Sequence, residues 1–327
     1  MSERVLITGA SGFVGYHIIQ EALKNNFEAY AAVRKNSDTS HLSNLCVPLV
    51  HLKYNDAEAL VKEIKEKRYD YIIHAAGVTS ARSQKEFTIV NAGFAYNLAK
   101  AAETCGVKKF VLISSLAAVG PLKQLSGTIT EGTTPAPISA YGKSKLLAEQ
   151  KIAALPALNY TILRPTAVYG PREKGIFLFI RQIAKKGFEP YIGNIEQKVS
   201  FVHAKDLAAA SVKALFAPAK STYNISDGNF YSRYELGDTV KETLKLRSIK
   251  FHLPVNFVKI IAAMNGKLSS LRGKSVRLNP EKITELIAVN WDCSIEKAKA
   301  ELGFYPRYNL RTGLTETLAW YKENKWL

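Results

Sequence analysis

The chain alternates short apolar runs with longer amphipathic segments from its first residues to about residue 165. Apolar positions that recur every three to four residues predict helices, and the short runs between them predict buried strands. Strands and helices in alternation are typical of a parallel sheet with crossover helices. The predicted strands are Val5–Thr8, Glu28–Val33, Val50–Tyr54, Tyr71–Ala75, Phe110–Ser114 and Tyr160–Leu163. The predicted helices are Val14–Lys24, Ala57–Lys67, Glu86–Cys105 and Tyr141–Ala154, the last with Ser139 as its N-cap.

The rhythm becomes irregular after Pro165, which predicts a second and smaller lobe. A glycine- and aromatic-rich stretch leads to a short predicted strand at Val199–Val202 and a helix at Asp206–Phe216. The expected fold class is α/β: a Rossmann doubly wound parallel sheet with a smaller, discontinuous α+β substrate-binding lobe. We assign residues 1–170 and 199–228 to the sheet domain. The lobe is assigned residues 171–198 and 229–327.

Composition and charge narrow the choice of partners. The 327 residues are 47% hydrophobic and 22% charged, as in a folded globular protein. Lys and Arg number 45 against 28 Asp and Glu, a net charge of +17, which favours anionic partners. Nine basic residues and a single acid lie between Lys245 and Lys282. Because no nucleic-acid motif accompanies this block, we expect no nucleic-acid partner and favour phosphates or a membrane surface.

Cysteine content and the termini favour a cytoplasmic protein. Three widely spaced cysteines exclude a disulfide framework and a Cys-based zinc site, and no other ligand spacing predicts a metal. No export signal is recognised, and the apolar stretch 254–271 is too interrupted to span a bilayer. Residues 251–271 either form a core helix of the lobe, cap an apolar substrate, or make a peripheral contact with an anionic membrane.

A glycine-rich turn follows the first predicted strand and opens the first helix. Gly9 permits a tight turn, Gly12 lets the backbone approach a pyrophosphate, and Gly15 allows the helix to pack closely on the strand. The N–H groups at the helix start then face the anion. The sequence predicts dinucleotide binding through this turn, with Gly9, Ser11, Gly12, Phe13, Val14 and Gly15 as the contributing residues.

The end of the second predicted strand indicates which dinucleotide is bound. It carries Arg34 and Lys35 where NAD-binding folds of this type place an acid. Arg34 can donate two hydrogen bonds to a 2′-phosphate, and Lys35 adds a nearby positive charge. We therefore predict that NADP is the cofactor, with NADPH preferred and NAD not excluded. Two solvated basic residues at a strand end are the alternative interpretation, since Asp38 follows closely.

Three polar residues form a candidate catalytic trio. Tyr141 and Lys145 are four residues apart at the start of a predicted helix, so both project from one face. Tyrosine titrates near pH 10, and we expect the Lys145 ammonium to lower the pKa of Tyr141 towards neutrality. Ser115 follows the fifth predicted strand at the carboxyl edge of the sheet, where it would hydrogen-bond the reacting oxygen. This combination predicts hydride-transfer chemistry with a tyrosine as acid or base.

These features resemble the extended short-chain dehydrogenase/reductase family, also called the NAD-dependent epimerase/dehydratase family, over almost the whole chain. The motifs that carry the resemblance are Gly9–Gly15, His74–Gly77, Asn91, Ser114-Ser115, Tyr141–Lys145, Leu163–Pro165, Val168–Pro171 and Phe201–His203. The resemblance implies that Ala75, Ala76 and Gly77 line the cofactor ribose and phosphates, and that Pro165 and Val168 pack on the nicotinamide.

The resemblance has further implications at the edge of the cofactor site. Asn91 is expected near the site, although a purely structural amide fits it equally well. Family members bind the adenine amino group with an acid after the third strand; here Lys53 stands in that place and Asp56 is the substitute. The resemblance also implies a homodimer formed through the helices Glu86–Cys105 and Tyr141–Ala154.

The residues after the fifth strand separate the chemistries found in this family. Dehydratases carry threonine, aspartate and glutamate there, whereas Leu116 and Ala117 follow Ser115 here and cannot transfer protons. The carboxyl-terminal pattern 290–321 is most similar to the dihydroflavonol reductase and 3β-hydroxysteroid dehydrogenase-like branch. We expect NADPH-dependent interconversion of a ketone and an alcohol on a lipid- or steroid-like substrate, for example a long-chain keto base. A nucleotide-sugar 4-epimerase and a non-catalytic NADPH-binding redox sensor are the alternatives.

Overall fold

A seven-stranded parallel sheet forms the centre of the computed structural model, which describes residues 2–262 and 280–327. The strands are β1 Arg4–Thr8, β2 Glu28–Ala32, β3 Leu49–Val50, β4 Tyr71–His74, β5 Lys109–Ile113, β6 Tyr160–Pro165, β7 Ala167–Tyr169, β8 Phe188–Ile192, β9 Lys198–Val199, β10 Phe201–His203, β11 Ser221–Ile225, β12 Tyr231–Ser232 and β13 Ile249–Leu253. In the central sheet the order is β3-β2-β1-β4-β5-β6-β11. Because the order reverses at β1, a crevice for a ligand opens between the carboxyl ends of β1 and β4.

Helices cover both faces of this sheet. They are α1 Phe13–Lys24, α2 Ala57–Lys67, α3 Gln84–Phe87, α4 Phe94–Thr104, α5 Ala140–Ala153, α6 Gly175–Lys186, α7 Ala204–Lys213, α8 Glu235–Leu244, α9 (helical residues 255–262), α10 Pro280–Leu286, α11 Glu296–Leu302 and α12 Leu310–Glu323. Along β1, Val5 and Ile7 pack with α1 and α7, whereas Leu6 packs with α2, α4 and α5. Strand side chains alternate between faces, so an apolar run covered by helices on both sides is fully buried.

The expected Rossmann-type sheet is confirmed, and three local features differ from the sequence predictions. The third strand covers only two residues, at the edge of the sheet. The predicted helix Glu86–Cys105 is divided by a wider π-type segment, Thr88–Gly93, between α3 and α4. A seventh strand, β11, pairs in parallel with β6, which places residues 221–225 in the sheet. The division into two domains stays an interpretation.

The lobe has a core of its own, in which Ile180, Val240 and Leu314 are buried. It also packs on the sheet domain, where Ile295 and Phe304 join the core beside α1 and α7. Strands β8 and β13 pair in parallel and form a two-stranded ribbon. In the described ranges, no helix is long and apolar enough to cross a membrane. Within the same ranges, no cluster of His, Cys, Asp and Glu could hold a metal ion. Of the segment 251–271, for which three interpretations were given, residues 263–271 lie outside the described residues.

Candidate active site

The glycine turn between β1 and α1 has the geometry that a pyrophosphate requires. Gly9 has a φ of +69°, and a Cβ on it would lie 2.8 Å from the backbone of Ala75 and Ala76. A Cβ on Gly15 would lie 2.2 Å from the Gly9 carbonyl oxygen. Gly12 is the N-cap of α1, where no side chain caps the helix and no acid lies in the first turn. The N–H groups there can receive a phosphate, so the turn fits a dinucleotide.

The segment after β4 connects this turn to the catalytic trio. Thr8 Oγ1 accepts a hydrogen bond from Ala76 N at 3.1 Å, which holds the segment against β1. A Cβ on Gly77 would lie 3.0 Å from Asn91 Oδ1 and 3.5 Å from Lys145 Nζ. The backbone of Gly77 therefore lies next to the Lys145 ammonium.

The trio is assembled at the start of α5. Ser139 is the N-cap and its hydroxyl accepts from Gly142 N at 3.0 Å. A Cβ on Gly142 would lie 2.3 Å from the Ala117 carbonyl oxygen, so glycine lets α5 lie directly against the turn that follows Ser115. The Ser115 side chain lies close enough to Tyr141 to lower the pKa of its hydroxyl.

The third member of the trio is anchored to the sheet. Lys145 is buried, and its Nζ donates to the Ile113 carbonyl oxygen at 2.8 Å. Because Ile113 ends β5, this bond holds the ammonium at the carboxyl edge of the sheet. The structure thus brings Tyr141 near Ser115 and holds Lys145, one turn further along α5, at the same edge of the sheet.

Burial governs the protonation of the trio. It raises the pKa of Tyr141 to about 12; the Ser115 hydrogen bond opposes this shift and the Glu285 carboxylate adds to it. Burial also lowers the pKa of Lys145 to about 8, against the opposing effect of Glu149. The shift at Tyr141 is opposite to the one expected from the sequence, because desolvation of its hydroxyl outweighs other effects in the protein alone. Tyr141 therefore carries its proton at neutral pH, as a proton donor must.

A buried ion pair between α5 and β6 lies next to the trio. Glu149 lies one turn after Lys145 in α5, and Arg164 of β6 contacts it through Nη2 at 2.6 Å and Nε at 3.1 Å. Ser114 also donates to Glu149, so the residue before Ser115 is tied to the same carboxylate. No role for Glu149 was predicted from the sequence. Two features of the sequence could have indicated this ion pair: Glu149 follows Lys145 by four residues on one helix face, and Arg164 interrupts an apolar strand.

The lobe contributes a second carboxylate near the trio. Glu285 of α10 accepts from Ser139 Oγ and pairs with Lys282 at 2.9 Å. It is only 9% exposed, and its charge acts on Tyr141. Sequence reasoning missed Glu285, because nothing along the chain indicates that a residue of the lobe meets the N-cap of α5. Through this contact the lobe packs against the N-terminus of α5, the helix that carries Tyr141 and Lys145.

The remaining predicted residues have varied surroundings. Asn91 exchanges hydrogen bonds with the backbone of Val78 and donates to Ser144 Oγ, which is a structural role in the protein alone. Asp56 is the N-cap of α2 and accepts from Ala59 N at 2.9 Å. Arg34 and Lys35 are exposed after β2, and neither forms an ion pair within residues 2–262 and 280–327. Among the other predicted contacts, Ser11 lies in the turn before α1, and Phe13 and Val14 begin that helix. Pro165 ends β6 and Val168 lies in β7. Their contacts with a cofactor stay predictions.

Comparison with known proteins agrees with this geometry. The sequence profile of the NAD dependent epimerase/dehydratase family matches residues 5–226, more than half of the chain. The chain belongs to this family. It is therefore an NAD(P)-dependent enzyme of the short-chain dehydrogenase/reductase type, acting on CH–OH groups, and the family resemblance drawn from the motifs is confirmed.

Individual relatives differ in the substrates that they act on. A UDP-glucose 4-epimerase of Vibrio cholerae is 27% identical over 97% of this chain and 95% of its own length. A ceramide reductase of Caulobacter vibrioides is 26% identical over 99% of this chain and 96% of its own. The structure of a Thermus thermophilus UDP-glucose 4-epimerase in complex with NAD has a TM-score of 0.80 at 22% identity, covering 98% of this chain and 99% of that one.

Proposed function

We propose that the protein is an NADPH-dependent oxidoreductase that interconverts a ketone and a secondary alcohol on a hydrophobic, lipid- or steroid-like substrate. The observation that carries the proposal is the placement of Tyr141 near Ser115, with Lys145 buried one turn further along α5 and held by the Ile113 carbonyl oxygen. Dehydration is disfavoured because Leu116 and Ala117 have no side chain that transfers protons.

Each member of the trio has a distinct role in this reaction. A bound nicotinamide dinucleotide supplies the hydride for reduction. The Tyr141 hydroxyl gives its proton to the ketone oxygen, and the Ser115 hydroxyl orients that oxygen by a hydrogen bond. Lys145, beside Gly77, hydrogen-bonds the ribose and, when protonated, stabilises the tyrosinate that remains. Oxidation of the alcohol uses the same groups in reverse.

The preference for NADPH rests on Arg34 and Lys35. Both are exposed and free to turn towards a 2′-phosphate, with no acid pairing either one in the described chain. Replacing both by alanine, Arg34→Ala with Lys35→Ala, should raise the KM for NADPH by at least about tenfold and leave that for NADH nearly unchanged. Equal effects on both cofactors would contradict the preference, and the steady-state KM values decide the matter.

The substrate class rests on the lobe and on one relative. The lobe carries apolar residues beside cations, and a relative named ceramide reductase covers the chain from end to end. A long-chain keto base or amide is a ketone of this type. The proposal further includes a cytoplasmic enzyme, a peripheral contact with an anionic membrane, and a homodimer formed through α3–α4 and α5.

A nucleotide-sugar 4-epimerase is the second candidate, favoured by the Vibrio cholerae relative. The absorbance of NADPH, followed with purified protein against apolar ketones and against UDP- and dTDP-sugars, separates the two. Oxidation of NADPH by an apolar ketone is the expected result. Rearrangement of a nucleotide sugar without net change of cofactor, together with no reaction on any ketone, would replace the reductase by the epimerase.

A further inference from the structure

The ribbon of β8 and β13 has one polar face and one apolar face. Its register pairs Ile249 with Phe188, Phe251 with Pro190 and Leu253 with Ile192, and paired residues in parallel strands share a face. The intervening residues point to the opposite face, towards α8. Glu189 of β8 forms an ion pair with Lys241 of α8, and Lys250 of β13 forms one with Asp238 of α8. The polar face is therefore turned towards α8, and the apolar face is turned away from it.

Among the described residues, helix α9 covers one end of the apolar face. Val258 and Ala262 pack with Ile192 and Leu253 in a small cluster that also includes Ile283. At the other end, Phe188 is 46% exposed and Ile249 is 66% exposed. The outer side of α9 adds Phe257 and Ile260, which are 53% and 59% exposed. We call Phe188, Ile249, Phe251, Phe257 and Ile260 the lobe face.

Cations border the open end of the lobe face. Lys185 and Lys186 end α6 two residues before β8, and Lys245 and Arg247 precede β13. Because β8 and β13 are parallel, the segments that precede them lie side by side, and Ile249 N donates to the Gly187 carbonyl oxygen at 2.9 Å. All four cations are exposed, and none forms an ion pair in the described part of the chain. Neighbouring acids are already engaged: Asp238 pairs with Lys241 and Lys250, and Glu242 with Arg311.

We propose that the lobe face docks on the surface of an anionic lipid bilayer. Large apolar side chains that protrude beside unpaired cations match the boundary between acyl chains and acidic headgroups. A second copy of the chain on this face would bring four cations against four, which disfavours self-association. This inference deepens the membrane contact of the proposed function, and it places that contact on the lobe that also reaches Ser139 through Glu285.

Vesicle co-sedimentation of the full-length protein tests the proposal, with binding and not turnover as the readout. One set of vesicles is pure phosphatidylcholine, and the other is two parts phosphatidylcholine to one part phosphatidylglycerol. We expect binding to the mixed vesicles, weakening with added salt, and none to the neutral ones. Replacing Lys185, Lys186 and Arg247 together by glutamine should weaken binding on the order of 100-fold. The pair Phe188→Ser and Ile249→Ser should weaken it at least about tenfold.

Matched variants elsewhere on the surface serve as controls. Tyr305→Ser removes a side chain that is 69% exposed outside the lobe face, and Lys65→Gln with Lys67→Gln removes two exposed cations from α2; both should bind as the wild type does. Absence of wild-type binding to mixed vesicles, or equal binding by the lobe-face and control variants, would overturn the proposal. So would conversion of a dimer to a monomer by Phe188→Ser and Ile249→Ser, measured by light scattering. Vesicle binding without turnover of any ketone would support the docking surface while removing the proposed reaction.

Discussion

The central sheet buries the apolar residues of its strands, whereas the β8–β13 ribbon leaves several of them exposed. Seven strands with helices on both faces bury Val5, Leu6 and Ile7 completely, and charged groups inside that half, such as Glu149 and Arg164, contact each other. The two-stranded ribbon has one face packed on α8 and leaves Ile249 and Phe188 largely open. The sheet half therefore encloses its charged groups in a closed geometry, whereas the ribbon of the lobe leaves large apolar side chains exposed.

The strongest test of the sheet half is the substitution Tyr141→Phe. Loss of the hydroxyl removes the proton donor, so turnover should fall on the order of 1000-fold while the affinity for NADPH changes little. Tyr96→Phe on the adjacent α4 is the matched control and should retain wild-type turnover, since Tyr96 lies outside the trio. Steady-state kinetics with an apolar ketone measures both. Wild-type turnover by the Tyr141→Phe variant would remove the assigned role.

The buried pair of Glu149 and Arg164 should contribute far more to stability than a surface pair of the lobe. Arg164→Met leaves the Glu149 carboxylate buried without its partner, which should lower the free energy of unfolding by about 3 kcal/mol. Arg311→Met breaks the exposed pair with Glu242 and should change it by less than about 1 kcal/mol. Urea unfolding of the two variants compares them directly. Equal losses would show that the contrast between a closed half and an open lobe is wrong.

The close approach of α1 to β1 predicts a smaller effect in the glycine turn. Gly15→Ala forces a Cβ against the Gly9 carbonyl oxygen, so we expect a loss of about 2 kcal/mol of stability and weaker binding of NADPH. Gly93→Ala is the control, because its nearest neighbour would be the Thr88 carbonyl oxygen at 3.8 Å. Thermal unfolding and NADPH fluorescence titration measure the two effects. A Gly15→Ala variant that behaves like Gly93→Ala would contradict the packing argument.

The smallest expected effect is that of Glu285, in the lobe, on the pKa of Tyr141, in the sheet half. Glu285→Gln removes a negative charge that raises the pKa of Tyr141, so that pKa should fall, by about one pH unit or less. Alcohol oxidation, which requires the deprotonated tyrosine, should then begin at lower pH. Ketone reduction near neutrality should stay unchanged, because Tyr141 remains protonated there. The amide can still accept from Ser139, so an identical pH profile for wild type and variant would mean that Glu285 acts only as a structural contact.

The fold and the candidate site residues are more predictable from the sequence in the sheet half than in the lobe. Periodicity and the glycine spacing predicted the parallel sheet, the glycine turn that opens α1 and the place of Tyr141 and Lys145 on one helix, because these depend on local patterns. Ser115 lies just after the fifth strand, as the sequence predicted, and its role in catalysis stays a prediction.

What the sequence did not predict depends on contacts between distant segments. The pKa of Tyr141 follows from desolvation, which no residue spacing reports, and the contact of Glu285 with Ser139 joins residues far apart in the chain. The two faces of the ribbon were likewise unseen, since strand alternation at residues 249–253 acquires meaning only once β8 is known to be its partner. Local chemistry is therefore predictable here, and contacts between the lobe and the sheet are not.

The contact between Ser139 and Glu285 has a consequence for engineering. A chimera that takes its lobe from another family member, in order to accept a different substrate, would insert a foreign residue opposite the cap of the catalytic helix. Such a graft would alter the charge facing Tyr141 together with the specificity. Retaining a carboxylate at position 285 in the donor lobe is the design rule that keeps the two changes separate.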